Sequence, residues 1–290
     1  MKQVLAVDLG GTKTAMALVD PAGNLSGKRK TPAAPFDATI RQIVSNCAEC
    51  GPDAIAAVGV IVPGIYEPET GNAWAPNLWG PDFQPLRAAL ERHLNVPVAI
   101  GSDRSGSVLA EQWLGVARWK RHVLFVAVGT GIGVGIVCDG RPIEGAHGIA
   151  GAAGWMVVGS PWKPEFAACG GWESQAAGPA LARLGGMESA EAVVAAARAG
   201  DRRALDAVMQ VADSLALGIA GLIGILDPEI VVLGGGLMQA SDLMLDRIRR
   251  QTLCWTQPIA GKVVRVEKTA LGEDAGLFGA ARLAWMHLGL

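Results

Sequence analysis

Residues 4–20 read VLAVDLGGTKTAMALVD, and the meaning of this stretch decides the fold. An apolar run, a break at Gly10-Gly11 and a second apolar run spell two strands joined by a glycine turn. Asp8 stands at the entrance of the turn, and Thr12 and Lys13 stand at its exit. Backbone N–H groups, a hydroxyl and an ammonium group therefore converge, which is a donor set suited to a phosphate. The commoner glycine-rich phosphate loops do not fit. A Walker loop has a longer spacer before its Gly-Lys-[Ser/Thr], and a dinucleotide fingerprint runs from its glycines directly into a helix, whereas here Met16 and Leu18 continue as a strand. Glycine turns also close ordinary hairpins, so the weight falls on what else the chain contains.

It contains a second copy. Residues 122–140, HVLFVAVGTGIGVGIVCDG, again give an apolar strand, a glycine turn at Gly129-Thr130-Gly131-Ile132-Gly133, and an apolar strand. Two hairpins of one design, more than a hundred residues apart, predict two related lobes that each present a loop to a shared cleft. At 290 residues, half of them hydrophobic, the chain can bury two cores of ordinary size.

A net charge of −2 with no basic run gives no electrostatic case for a nucleic-acid partner. The opening residues, MKQVLAVD, pass straight into a strand, so no leader is expected. The longest apolar stretch, residues 216–226, is short for a bilayer, so no membrane partner is expected. Five cysteines, Cys47, Cys50, Cys138, Cys169 and Cys254, are odd in number and scattered, which fits a reducing cytoplasm. Cys47 and Cys50 have redox or zinc spacing but no second Cys or His pair, and read as helix residues.

Along the chain, residues 35–50 pattern as a helix and residues 54–62 as a buried strand ending at Pro63-Gly64. A loop over residues 66–83 holds Trp74, Asn77 and Trp79. A helix at 85–94, a strand at 96–100 and a helix at 104–116 follow, which leaves Asp103 at a helix start, where an acid is also favourable as a cap or first-turn residue. Alternating strands and helices make an α/β protein with its ligand site outside the carboxyl ends of the strands. Residues 140–178 are loop-like and contain His147, Trp155, Trp162, Cys169, Trp172 and Glu173. Helices are predicted at 176–184, 190–198 and 203–226, the last carrying small residues that permit close approach. A strand at 230–233 ends in a third glycine turn, Gly234-Gly235-Gly236; a helix from Asp242, a strand at 263–266 and a helix from Ala275, capped by Gly272-Glu273-Asp274, complete the chain.

Taken together, DLGGTKT, PG, APNLW, SDRSGSVLAE, GTGIGVGI, GAHGIAGAAG, LDPEIVVLGGG and GEDAGLFGAARLA resemble, in order and spacing, the ROK sugar kinases and repressors of the actin and hexokinase superfamily. The resemblance implies a two-lobed actin-like ATPase (ribonuclease H-like) fold with a cleft between the lobes. The expected boundaries are residues 1–102 plus 272–290 for a small N-terminal lobe and 103–271 for a larger one. It also implies ATP and Mg²⁺ as cofactors. Gly10, Gly11, Thr12 and Lys13 would face the phosphates, as would Gly129, Thr130 and Gly131, with Gly234, Gly235 and Gly236 beside the adenosine. Asp8 would lie near Mg²⁺ through water. Asp103 matches the family's general base, and Gly64, Asn77, Ser102, Asp103, Ala152, Trp155 and Glu173 fall at acceptor-site positions. Phosphoryl transfer needs alignment, charge neutralisation and a group to take the hydroxyl proton, and a carboxylate suits the last task.

The chain departs from the family where the acceptor should bind. The usual Asn-Asp pair is Ser102-Asp103, and the usual Ala-Gly-Glu-x-Gly-His segment is Ala150-Gly151-Ala152-Ala153-Gly154-Trp155. The sugar-binding glutamate and histidine are thus replaced by Ala152 and Trp155. The zinc-binding CxCGxxGC run is replaced by FAACGGWE, with only Cys169, so no structural zinc is predicted. Glu173 survives at the position of the family's later sugar-binding glutamate. Five of the nine tryptophans (Trp74, Trp79, Trp155, Trp162, Trp172) fall in stretches expected to face the acceptor. Together with the lost hydroxyl partners, they point to an amino or deoxy sugar, a cyclitol or a glycoside rather than plain glucose, held partly by stacking. A kinase of such a small-molecule, sugar-like acceptor is expected, cytoplasmic and a homodimer. The alternative is a sensor that binds nucleotide and sugar without turnover. A repressor is disfavoured, since no room precedes the first strand for a helix-turn-helix.

Overall fold

The computed structural model describes residues 2–51, 54–159 and 161–290. In chain order the elements are β1 (Gln3–Leu9), β2 (Lys13–Val19), β3 (Leu25–Pro32), α1 (Phe36–Glu49), β4 (Ile55–Val62), β5 (Ile65–Glu67), β6 (Asn72–Trp74), α2 (Pro76–Trp79), α3 (Leu86–Glu91), β7 (Val98–Ser102) and α4 (Asp103–Trp113). Then come β8 (Val123–Val128), β9 (Ile132–Cys138), β10 (Arg141–Pro142), α5 (Phe166–Cys169), α6 (Glu173–Ala176), α7 (Gly178–Gly185), α8 (Ala190–Arg198), α9 (Arg202–Leu226), β11 (Ile230–Gly234), α10 (Ser241–Trp255), β12 (Arg265–Lys268) and α11 (Ala275–His287). The chain divides into two compact units.

The first unit comprises the chain up to Trp119 with Pro142–Ile149 and Leu271–Leu290. Its sheet runs β3-β2-β1-β4-β7. β1 and β2 pair antiparallel, Val4 opposite Val19 through Leu9 opposite Thr14, while β1 with β4 and β4 with β7 are parallel. β1 is covered on both faces, which is why it reads as a continuous apolar run rather than an alternation. Leu5, Val7 and Leu9 pack with Ile40, Ile43, Leu86 and Leu90. Val4 and Ala6 pack instead with Ala57, Ala280, Ala281, Ala284 and Trp285. The alanines and Gly59 let α11 lie close to the sheet, since a Cβ at Gly59 would overlap the carbonyl of Ala280. β3 is the edge strand, mostly exposed and carrying Lys28, Arg29 and Lys30, charges that discourage edge-to-edge pairing.

The division falls after Trp119 rather than at residue 102. The physical reason is the α4–α11 contact, where Gly279 lies so close to the backbone of Gly106 that no side chain fits between. Helix α4 therefore packs in the first unit. The stretch read as a loop over 66–83 contains the antiparallel β5–β6 hairpin, with Ile65 opposite Trp74, and β7 reaches Ser102, two residues past the expected end.

The second unit comprises Lys120–Arg141 and Ala150–Ala270. Its sheet, β10-β9-β8-β11-β12, repeats the design of the first. β8 and β9 form the antiparallel hairpin, Val128 opposite Ile132 at its turn, and β8, β11 and β12 run parallel. One core joins this sheet to α7, α8, α9 and α10. Helix α9, of 25 residues, is long and apolar enough to cross a membrane, whereas the apolar stretch read from sequence was short. More than half of its most apolar window is buried inside the protein.

Candidate functional site

The period-2 geometry of β1 decides where Asp8 goes. It shares the face of Val4 and Ala6, the face covered by α11, and Gly276 in the first turn of that helix leaves the gap its carboxylate needs: a Cβ there would overlap Asp8. Beyond Asp8, the Gly10 N–H donates to the carbonyl of Lys13 at 2.9 Å, and the Ala33 N–H donates to the carbonyl of Thr12 at 3.0 Å. The turn is thus tied at both ends, while Gly11, Thr12 and Lys13 stand exposed.

Asp103 begins α4 just past the C-terminal end of β7. The cap of that helix is Ser102, whose Oγ accepts from the Ser105 N–H at 3.2 Å and donates to Ser105 Oγ at 3.1 Å. Ser102, expected among the acceptor contacts, is only 1% exposed and uses its hydroxyl on the cap. Asp103 is left half-buried, Oδ1 accepting from the Arg104 N–H at 2.9 Å. Burial raises its pKa above the ordinary carboxylate range, and the Arg104 guanidinium opposes that rise. Asp8 is pushed up to about 6, first by burial, then by the charge of Asp103, with Lys30 pulling the other way. The two carboxylates are therefore close enough to feel each other.

Lys30 Nζ also donates to Glu273 Oε2 at 2.7 Å, and Lys28 pairs with Asp274. Glu273 and Asp274 were expected to cap α11; no side-chain cap bond forms, because both acids are drawn to the β3 lysines instead. Gly64 has φ +153° and lies against the Trp74 carbonyl with no room for a side chain, which folds β6 back along β5. Asn77, in α2, is exposed. Trp74 Nε1 donates to the Pro81 carbonyl at 2.9 Å, and Trp79 meets Phe36 edge-on at 5.1 Å.

In the second unit the Gly129 N–H donates to the Gly131 carbonyl at 2.9 Å, and the Gly129 carbonyl accepts from the Gly178 N–H at 2.8 Å. Because β8 and β11 are parallel neighbours, Gly129 and the Gly234-Gly235-Gly236 turn lie side by side. A Cβ on Gly129 would be 3.9 Å from the Gly236 nitrogen, and Gly235 takes φ +87° where a side chain would overlap Val128. Thr130, Gly235 and Gly236 are exposed. The altered segment runs beside β9, with the Val134 N–H donating to the Gly151 carbonyl at 2.8 Å. Ala152 is half-buried there, and Trp155 is 58% exposed.

Two further residues of the second unit make contacts that their sequence positions did not suggest. Trp172, grouped with the acceptor-facing tryptophans, is 0% exposed. Its Nε1 donates to the Ser214 carbonyl at 2.9 Å, and its ring fills the space left by Gly218 of α9, so it belongs to the core. Glu173, expected at the acceptor, is half-buried with Oε2 accepting from the Ile132 N–H at 2.7 Å. Gly276, Lys30 and Arg104 were not singled out from sequence. A glycine in the first turn of α11 was the available signal, since glycine there costs helix stability unless something needs its space.

Among the described residues no group of three or more His, Cys, Asp or Glu side chains could hold a metal ion by itself. Asp8 and Asp103 do suit Mg²⁺, which binds through one or two carboxylates together with substrate phosphates and water. Two half-buried acids, both raised by burial and one of them raised further by the other's charge, are the donor chemistry such a cation relieves.

A hairpin-led mixed sheet with parallel strands beyond it, built twice in one chain and each time carrying a glycine turn, defines the two-lobed class of actin- and hexokinase-type phosphotransferases. The ROK family model matches residues 4–286. The glucokinase of Thermotoga maritima is 31% identical over 99% of this chain and 98% of its own. The N-acetyl-D-glucosamine kinase of Citrobacter koseri is 30% identical over 97% and 98%. Among solved structures, the ROK hexokinase of Thermus thermophilus superposes with a TM-score of 0.85 at 29% identity, covering 99% of each chain. A ROK glucokinase from Streptomyces griseus, in complex with glucose and AMPPNP, gives 0.77 at 27%, covering 98% and 99%. The chain belongs to the ROK family, and it is an ATP-dependent carbohydrate kinase.

Proposed function

We propose that this kinase phosphorylates a hydroxyl of an amino or deoxy sugar, a cyclitol or a glycoside in preference to plain glucose, with Asp103 as general base. The observation that carries the proposal is the acceptor segment itself: Ala152 and an exposed Trp155 stand where the resemblance expects a glutamate and a histidine. A site that pairs fewer hydroxyls loses discrimination for a fully hydroxylated ring, and an exposed indole offers an apolar face to stack on. The relatives named above include kinases of both glucose and an N-acetylated amino sugar.

In this mechanism the ammonium group of Lys13 and the donors of the Gly10-Gly11-Thr12 turn hold phosphate oxygens. The turns at Gly129-Thr130-Gly131 and Gly234-Gly235-Gly236 hold the remainder of the nucleotide. Asp103 orients the attacking hydroxyl and takes its proton as the new O–P bond forms and ADP departs. Asp8 would hold Mg²⁺ through water; when bound, the cation neutralises phosphate charge. Asn77 and Gly64 are assigned to the acceptor on the resemblance.

Acceptor-dependent ADP release across a panel of glucose, N-acetylated and deoxy sugars, cyclitols and glycosides tests the proposal. The expected result is a higher kcat/KM for one of the latter classes. Glucose turning over best by a wide margin refutes it.

A further inference from the structure

The second glycine turn is held from one side by a single carboxylate. Glu173 Oε2 accepts the Ile132 N–H at 2.7 Å, a length typical of a charge-assisted bond. The carboxylate reaches that amide only because two glycines flank it. A Cβ at Gly131 would lie 2.6 Å from Oε2, and a Cβ at Gly154 would lie 2.7 Å from the same atom. Gly131 belongs to the turn, whereas Gly154 belongs to the altered segment, whose carbonyl accepts from the Trp172 N–H at 3.0 Å. The turn, the altered segment and the start of α6 thus meet at one oxygen.

We propose that Glu173 is a positioning residue for the nucleotide turn, fixing Gly129–Gly133 by its bond to Ile132, rather than only a contact for the acceptor. This rests on the assignment of that turn to the nucleotide. The charge itself is not what the nucleotide needs, since an anion beside a phosphate-facing loop repels. What the turn needs is an oxygen acceptor at that point. The amide of Glu173→Gln supplies one without the charge, and Glu173→Ala supplies none.

Two measurements test this on the whole 290-residue chain. Hydrogen exchange at the Ile132 amide is expected to quicken about tenfold or more in Glu173→Ala, the loss of one hydrogen bond to a charged group, and to stay close to wild type in Glu173→Gln. Calorimetric titration with ADP in the absence of acceptor is expected to show affinity about tenfold weaker in Glu173→Ala and within about twofold of wild type in Glu173→Gln. Gly154→Ala, whose Cβ would lie 2.7 Å from the carboxylate and 3.1 Å from the Ile132 carbonyl, crowds both partners of this bond and should weaken ADP in the same direction as Glu173→Ala. Unchanged exchange and unchanged ADP affinity in Glu173→Ala, with only the acceptor KM raised, would overturn the proposal. Loss of folding in Glu173→Ala leaves Gly154→Ala and Glu173→Gln to decide it by the same two readouts. A wild-type protein that binds no ADP, yet shows the predicted exchange pattern, refutes the turn's assignment to the nucleotide and leaves Glu173 as its positioning residue.

Discussion

Asp8 and Asp103 sit at the same end of one sheet, the first on β1 facing α11 and the second heading α4. Both carboxyls are driven upward by burial, and the charge of Asp103 makes that of Asp8 harder to form. The sign of the pH dependence follows. A carboxyl whose folded pKa is raised favours the folded state below the ordinary carboxylate range and loses that advantage as pH rises through the folded value. The nucleotide-free protein is therefore expected to lose thermal stability as pH climbs through about 6, where Asp8 ionises. Asp8→Asn should flatten that decline in a melting series across pH 4–8, a range set about the shifted carboxylate values. A wild-type profile that rises through this window would contradict the assignment. Asp103→Asn is expected to cut kcat by about 10² to 10⁴, the usual span for a general base, while ADP affinity by titration stays near wild type. A variant with near-normal turnover would remove Asp103 from the chemistry.

At the scale of elements, the helix that organises the first site is the last one in the chain. Gly59, Gly276 and Gly279 let α11 approach β4, Asp8 and α4 respectively, each at a spot where a side chain does not fit. Gly276→Ala is expected to displace the Asp8 carboxylate and lower kcat/KM more than tenfold, with a stability cost of about 1–3 kcal/mol typical of overpacking. Steady-state kinetics beside a denaturant melt separates the two effects. In the second unit, Gly218→Ala should cost a similar amount by pressing on Trp172, and Trp172→Ala about 3–5 kcal/mol as a buried aromatic truncation, with no change in the order of preferred acceptors. A changed acceptor order in Trp172→Ala would return that ring to the site. Much of this was legible in the sequence. The two hairpins, the strand leading to Asp103 and the long α9 follow from apolar runs broken by glycine. What escaped has a common cause, for each depends on partners distant in sequence. No local pattern pairs Gly218 with Trp172, Gly276 with Asp8, or Lys28 and Lys30 with Asp274 and Glu273. An aromatic residue in a loop-like stretch gives no periodicity from which its burial can be read, which is why Trp172 and the exposed Trp155 looked alike.

For the molecule as a whole, the same sheet occurs twice, yet the two units do not carry the same surface. Among the described residues, eight of the thirteen large exposed apolar side chains lie in the second unit: Trp155, Val157, Trp162 and Ile225 earlier in the sequence, and Leu253, Trp255, Ile259 and Val263 later. Exposed apolar side chains grouped in one stretch of chain are candidates for a surface where something docks. In the first group Trp155 is assigned to the acceptor, and Met156 and Gly159 just after it lie against α9, beside Gly221 and Leu217. The second group, at the end of α10 and beyond it, has no residue assigned to the site, and it is the surface expected to pair two copies of the chain. Light scattering at micromolar concentration should then report twice the mass of one chain. Trp255→Glu combined with Ile259→Glu should halve it while leaving the melting temperature of the folded chain nearly unchanged, because both side chains are mostly exposed, at 66% and 72%. A wild-type protein that scatters as a single chain at the highest concentration tested would rule out pairing. A double variant that keeps the doubled mass would move the interface to the surface around Val157 and Ile225, where a charge at each of those two positions is the next substitution to weigh.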